Sequence, residues 1–191
     1  MNIKQLITVN IDETPTIELK IWNDGWQTEK VLTEIAIGKN VATTDKREGD
    51  FKTPLGLFKL GSAFGTSSIK TDYPYLKVTN DSYWVDDSMS PNYNKWVELN
   101  KENIKNWQSA EHLIDYDEYK LGFIIEYNTT EQYDELNKGN DKGSAIFLHI
   151  KTKDYTSGCI ATTEENIKYI LNWVKTENNP YILIKQTKRQ K

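Results

Sequence analysis

The sequence is poor in the residues that staple or metallate a fold, with one cysteine and two histidines among 191 residues. A single thiol rules out an internal disulfide, and two imidazoles are too few for the usual zinc ligand sets. Neither a metal nor an organic cofactor is expected. Basic charge is also in short supply. Against 24 Lys plus Arg stand 28 Asp plus Glu, a formal net charge of −4, which speaks against a nucleic acid partner, because neutralising phosphates demands a basic face. Long apolar runs are missing too. The first ten residues, MNIKQLITVN, hold an apolar stretch too short for a membrane span or the core of a signal peptide. If the protein is exported, its targeting segment is expected to lie outside this chain.

What the sequence does have is aromatic bulk. Hydrophobic residues make up only 37%, yet six Trp, eleven Tyr and five Phe supply large buried areas from few positions. A chain of this length suits one domain and can bury roughly 70% of its unfolded surface. With no internal repeat and no compositional break, residues 1–191 are expected to form a single domain.

Strand-like runs fall at 5–9, 16–22, 31–37, 56–60, 121–127, 144–150 and 181–184, separated by turn signals such as Asn23-Asp24-Gly25 and Thr53-Pro54. The fold class expected is mainly β. One helix is well specified at 163–175. Thr162 and Glu165 make a capping-box pattern, Ile167, Ile170, Leu171 and Val174 recur at helical spacing, and Asn178-Asn179-Pro180 ends the run. A second helical piece is expected at 101–107, and 81–97, aromatic without a clear period, reads as an irregular loop and a candidate substrate wall.

The stretch GSAIFLHIKTKDYTSGCIATTEENIKYILNWV brings together the needs of a thiol nucleophile. His149 ends a buried-looking strand, so a single loop can carry Cys159 to within reach of a base. The N-terminus of the following helix is expected to favour the thiolate, which should then alkylate well below the usual thiol pKa of ~8.5. Gly158 lets the backbone bend so that amides at Ser157, Gly158 and Cys159 converge on an oxyanion. Taken singly, Cys159 reads equally well as a small buried hydrophobe, and His149 as a histidine satisfied by a backbone carbonyl. Their pairing across a glycine turn favours chemistry.

The segment HIKTKDYTSGCIAT resembles the active-site segment of the L,D-transpeptidase catalytic domain (YkuD-like) family, whose signature is a His, a variable loop and Ser-His-Gly-Cys. Here the last four positions read Thr156, Ser157, Gly158 and Cys159. The likeness extends to REGDFKTPLGLFKLGSAFG at 47–65, YWVDDSMSPNYNKWV at 83–97 and EYN at 126–128, and so covers nearly the whole chain. It implies a β-sandwich or barrel domain with a helix after the cysteine. The implied activity is transfer of a peptidoglycan stem-peptide acyl group through a Cys159 thioester to an amine, outside the cytoplasm of a bacterium. His149 would be the base and the Ile150 carbonyl its orienting group.

The sequence departs from the family pattern after the cysteine, where Ile160 and Ala161 replace the Arg or Asn of many members. Lys46 and Arg47 are candidates for the missing positive charge, although a Lys-Arg-Glu run is more often solvated surface. Trp84, Asp86, Tyr93 and Tyr127 are weaker candidates for the substrate cleft, with core packing as the competing reading. Asp86 and Asp87 lack further ligands in register for a metal. Glu111-His112 could make a second acid/base pair but reads rather as a surface pair, because nothing nearby in the sequence supplies a nucleophile. Two further functions fit the same residues: an L,D-carboxypeptidase or other amide hydrolase with water as acceptor, and a wall-binding domain without turnover. Oligomeric state leaves no mark in the sequence.

Overall fold

Alternation of apolar and polar side chains builds most of the sheet, and aromatic residues close it. The structure, a computed structural model, describes residues 2–101, 104–129, 139 and 141–186. Its strands are β1 (Gln5–Ile11), β2 (Thr16–Trp22), β3 (Trp26–Leu32), β4 (Ala42–Thr43), β5 (Thr53–Pro54), β6 (Gly56–Gly65), β7 (Tyr75–Lys77), β8 (Ser82–Val85), β9 (Lys95–Glu98), β10 (Ala110–His112), β11 (Leu121–Ile125), β12 (Phe147–Ile150), β13 (Ile160–Thr162) and β14 (Tyr181–Gln186). The α-helix, α1, spans Glu164–Trp173. The large sheet runs β13-β12-β11-β6-β14-β1-β2-β3, with β7 added beside β6. The fold is mainly β, as expected.

Two cores lie against this sheet. In the larger one, Ile7, Leu19, Phe123, Leu148 and Ile182 pack with Ile167 and Ile170 of α1. The smaller one gathers Phe64, Trp84, Tyr119, Phe147 and Cys159. Cover on both faces explains why β11 is buried at every position, and why its sequence is an unbroken apolar run. Successive residues of β12 serve different cores: Leu148 goes to the larger and Phe147 to the smaller.

Phe147 is the hub of the smaller core. Its ring meets Trp84 at 4.9 Å, Phe64 at 5.2 Å and Tyr119 at 5.4 Å, all near edge-to-face. Phe147→Ala is expected to cost about 3–5 kcal/mol, the range for a fully buried Phe, read as a lower denaturant midpoint at unchanged slope.

Four local expectations are corrected. Segment 81–97 holds β8 and β9, which with β10 form a three-stranded sheet ordered β10-β8-β9. Those strands are four residues long with aromatic residues on both faces, so no period shows in the sequence. Residues 104–107 are not helical, and 102–103 lie outside the described residues. The strand expected at 31–37 begins earlier and stops at Leu32. As the sheet edge it is exposed along almost its whole length, and polar residues hide it. The helix is capped by Thr163, not Thr162. The Thr163 hydroxyl accepts from Asn166 N at 3.2 Å, while Thr162 belongs to β13.

Candidate active site

Two parallel strands position the pair singled out in the sequence. β12 and β13 are in register with Leu148 opposite Ile160 and His149 opposite Ala161. One step back, Cys159 stands beside Phe147, whose N–H donates to Cys159 Sγ at 3.4 Å. Cys159 and His149 are thus diagonal neighbours on one sheet face, with Cα atoms about 8 Å apart from the spacing and rise of strands. Both open onto a cleft of about 390 Å³ that is also lined by Lys46, Glu48, Asp86, Glu111, Glu118 and Tyr119. Room for the imidazole comes from Gly122, which sits opposite His149 on β11. A Cβ there would lie 2.8 Å from the Phe64 ring, 2.9 Å from Leu148 O and 3.3 Å from His149 Cβ.

His149 is buried and its Nδ1 lies 2.8 Å from Ile150 O. A carbonyl only accepts, so Nδ1 carries the proton and Nε2 of the neutral ring keeps its lone pair. Burial holds the His149 pKa below the usual imidazole value, against the pull of the Ile150 carbonyl and of Glu118. At neutral pH the ring is therefore a base in the right tautomer.

The thiol differs from what its sequence context predicts. Burial pushes the Cys159 pKa up to about 12; the Phe147 N–H and Lys46 oppose the rise, while Glu111 and Glu118 add to it. The S–H donates to Ala145 O at 3.1 Å and no hydrogen bond joins it to His149. The thiolate expected from the helix N-terminus is not favoured, since burial raises the thiol pKa, the three residues of β13 follow Cys159 before α1 begins, and Glu164 and Glu165 occupy the first turn of α1. The resting pair is thiol plus neutral imidazole. Iodoacetamide is accordingly expected to alkylate Cys159 slowly at pH 7 and faster as pH rises, checked by intact mass against time.

The turn before Cys159 is tied by Thr156, whose Oγ1 accepts from Gly158 N at 3.1 Å and donates to Cys159 O at 2.6 Å. Gly158 has φ +143° and its missing Cβ faces Lys52 O at 2.9 Å, so only glycine fits. Its N–H thus points at Thr156 in this state, while Ser157 is exposed at the mouth of the cleft.

The other predicted residues are divided between cleft and scaffold. Asp86 lines the cleft, and its Oδ1 is shut from solvent without a hydrogen-bond partner among the described residues. Trp84 is buried behind it, donating from Nε1 to Asn94 Oδ1 at 3.0 Å. Tyr93 OH donates to Glu48 Oε2 at 2.5 Å, and Tyr127 OH to Lys142 O at 2.6 Å within the larger core. Arg47 points outward to Asp141 at 2.7 Å and Asp45 at 3.2 Å. Lys46, read as part of a solvated run, is only 4% exposed. Its stem runs past Gly143 and Gly158, and its Nζ is held by Asp50 at 2.5 Å and Arg47 O at 2.9 Å.

Sequence reasoning assigned Glu111 to the surface and passed over Tyr119; both line the cleft. Strand β10 sends Glu111 into the cleft and His112 out against Tyr83 at 4.6 Å, which breaks up the expected surface pair. A three-residue strand offers too little alternation to reveal this. Among the described residues no three His, Cys, Asp or Glu side chains gather as a metal-binding group.

A model of the L,D-transpeptidase catalytic domain family matches residues 4–183. No curated protein matches the sequence. Among solved structures, the helical cell shape determining protein Pgp2 from Campylobacter jejuni superposes with a TM-score of 0.57 at 15% identity, covering 97% of this chain and 49% of that one. Its K307A mutant gives 0.56, also at 15% identity, over 97% and 48%. An L,D-transpeptidase from Stackebrandtia nassauensis gives 0.45 at 10% identity, over 100% and 60%. The chain spans about half the length of the Pgp2 chains it resembles.

Proposed function

Because this chain belongs to the L,D-transpeptidase catalytic domain family, we propose that it transfers a peptidoglycan stem-peptide acyl group through a thioester on Cys159 to an amine acceptor. The observation behind this is the tautomer of His149, fixed by the Ile150 carbonyl so that Nε2 is free to accept a proton in the cleft that Cys159 shares.

The donor peptide enters with an L-centre carbonyl over Sγ. As the S–C bond forms, the thiol proton passes to Nε2, directly or through one water, and the carbonyl becomes an oxyanion held by the Ser157 and Cys159 amides, the Gly158 amide being engaged by Thr156. Collapse breaks the C–N bond. The imidazolium returns the proton to the departing amine, leaving the thioester and neutral His149. An acceptor amine then attacks the thioester and gives its proton to His149, which passes it back to sulfur. With a buried thiol and a neutral base at rest, proton transfer belongs to the attack itself and not to a preformed ion pair. Asp86 is the residue of the 83–97 segment that meets substrate, in the cleft that Lys46 also lines. Trp84 packs beneath the site in the smaller core and Tyr93 holds the cleft residue Glu48, whereas Tyr127 packs in the larger core and Arg47 is paired with Asp45 and Asp141 outside the cleft lining.

Such substrates place the protein outside the cytoplasm. No helix of the described residues is long and apolar enough to cross a membrane. The test is mass spectrometry of muropeptides incubated with the protein. Cross-linked dimers are expected, with release of the donor's terminal residue. Loss of that residue without cross-linking makes water the acceptor and the protein an L,D-carboxypeptidase. Unchanged muropeptides reduce it to a wall-binding domain.

A further inference from the structure

Glu111 is a carboxylate in the cleft for which the Cys159 and His149 chemistry has no use. It sits at the centre of β10, opposite Trp84 of β8, and its Oε2 accepts from Tyr119 OH at 2.6 Å. Tyr119 is 5% exposed. Its ring lies edge-on to His149 at 5.6 Å and to Phe147 at 5.4 Å. One rigid aromatic thus links the carboxylate to the base and to the residue whose N–H holds the sulfur.

We infer that Glu111 is a positioning residue for the reacting pair, pinning Tyr119 against His149 and supplying a negative field at the Cys159 sulfur. The inference deepens the acyl-transfer reading and rests on it only in taking Cys159 and His149 as the reacting groups. The charges around Glu111 are mostly of its own sign. Asp86 follows β8, Glu118 lies in the 3-10 turn that carries Tyr119, and Glu48 enters from the loop before β5, whereas Lys46 and Lys153 are the cations on the cleft wall. Burial and the repulsion of Asp86, Glu118 and Glu48 push the Glu111 pKa up to about 7, with the Tyr119 hydroxyl pulling the other way. Glu111 therefore changes charge near neutrality. Once ionised it opposes thiolate formation on Cys159.

The sign of the effect follows. Removing the charge while keeping an acceptor for Tyr119, as in Glu111→Gln, makes the thiolate easier to form. Tyr119→Phe deprives the carboxylate of its hydrogen bond, raises its pKa further and acts in the same direction by a smaller amount.

Iodoacetamide alkylation of the full chain, followed by intact mass from pH 6 to pH 10, tests this without any substrate. Relative to wild type, Glu111→Gln is expected to move the rate profile to lower pH by about half to one unit, an acceleration of about three- to ten-fold at pH 8. Profiles that superimpose for wild type and folded Glu111→Gln would overturn the proposal, since a merely structural carboxylate leaves thiol reactivity alone. Should Glu111→Gln fail to fold, Tyr119→Phe decides by the same criterion. A flat response removes Glu111 and leaves acyl transfer standing, while inactivity on muropeptides leaves the alkylation result intact.

Discussion

Cys159→Ala is expected to abolish every covalent acyl adduct and to cut peptide turnover by at least ~10³-fold, because no other thiol exists in the chain to form the thioester. The substitution is gentle on the fold. The sulfur makes two hydrogen bonds, from Phe147 N and to Ala145 O, and alanine leaves a hole of one atom in the smaller core, at a cost of about 1 kcal/mol. A loss of activity is therefore separable from a loss of folding. Exposure to a carbapenem followed by intact mass gives the direct reading: an adduct on wild type, none on Cys159→Ala, with nearly equal melting temperatures. An adduct that survives the substitution would move the nucleophile elsewhere.

His149→Ala carries the second large effect, a loss of about 10²- to 10⁴-fold in acylation rate, the usual range for a positioned general base. The pH dependence is more telling than the magnitude. In wild type the rate should fall in acid as Nε2 takes a proton, and burial places that fall below the ordinary imidazole pKa of 6.5. The variant has no such limb. Its rate should climb with pH toward the titration of the buried thiol near 12, so the two proteins converge in strong base. The depressed pKa also has a consequence for stability. Unfolded His149 titrates at its ordinary value and folded His149 lower, so its contribution is complete above the unfolded pKa and lost as pH falls through the folded one. Wild type should lose more stability than His149→Ala over that acid window, as denaturant midpoints would show.

The sequence exposes the parts of this protein that follow local rules. The 16–22 run coincides with β2, because Ile17 and Leu19 alternate with polar residues on a strand with one solvated face. The helix after Cys159 was readable from Ile167, Ile170 and Leu171, which face the larger core. Cys159 and His149 stood out as candidates, one at a glycine turn and the other at a strand end. Their protonation was not legible, because it depends on what encloses them. Phe147, Tyr119 and Trp84 come from three separate elements, and only their assembly buries the sulfur. Strands β8 to β10 were hidden for a similar reason, being too short to show a period and held by each other. Lys46 looked like surface because its neighbours Asp45 and Arg47 are surface, while its own stem is held by Gly143 and Gly158, about a hundred residues further along the chain.

The loop between β12 and β13 has both ends anchored. His149 and Ala161 face each other across a parallel ladder, and Thr156 ties the last turn back to Cys159. Residues 152–155 between these anchors are exposed, and three of them, Thr152, Lys153 and Tyr155, line the cleft mouth. Their side chains can be exchanged without displacing either reacting group, since the ladder and not the loop sets the distance between sulfur and imidazole. On the proposed acyl-transfer reading, substrate preference and chemistry can therefore diverge separately in this scaffold. Selection can retune the cleft mouth while Cys159 and His149 stay where the ladder holds them.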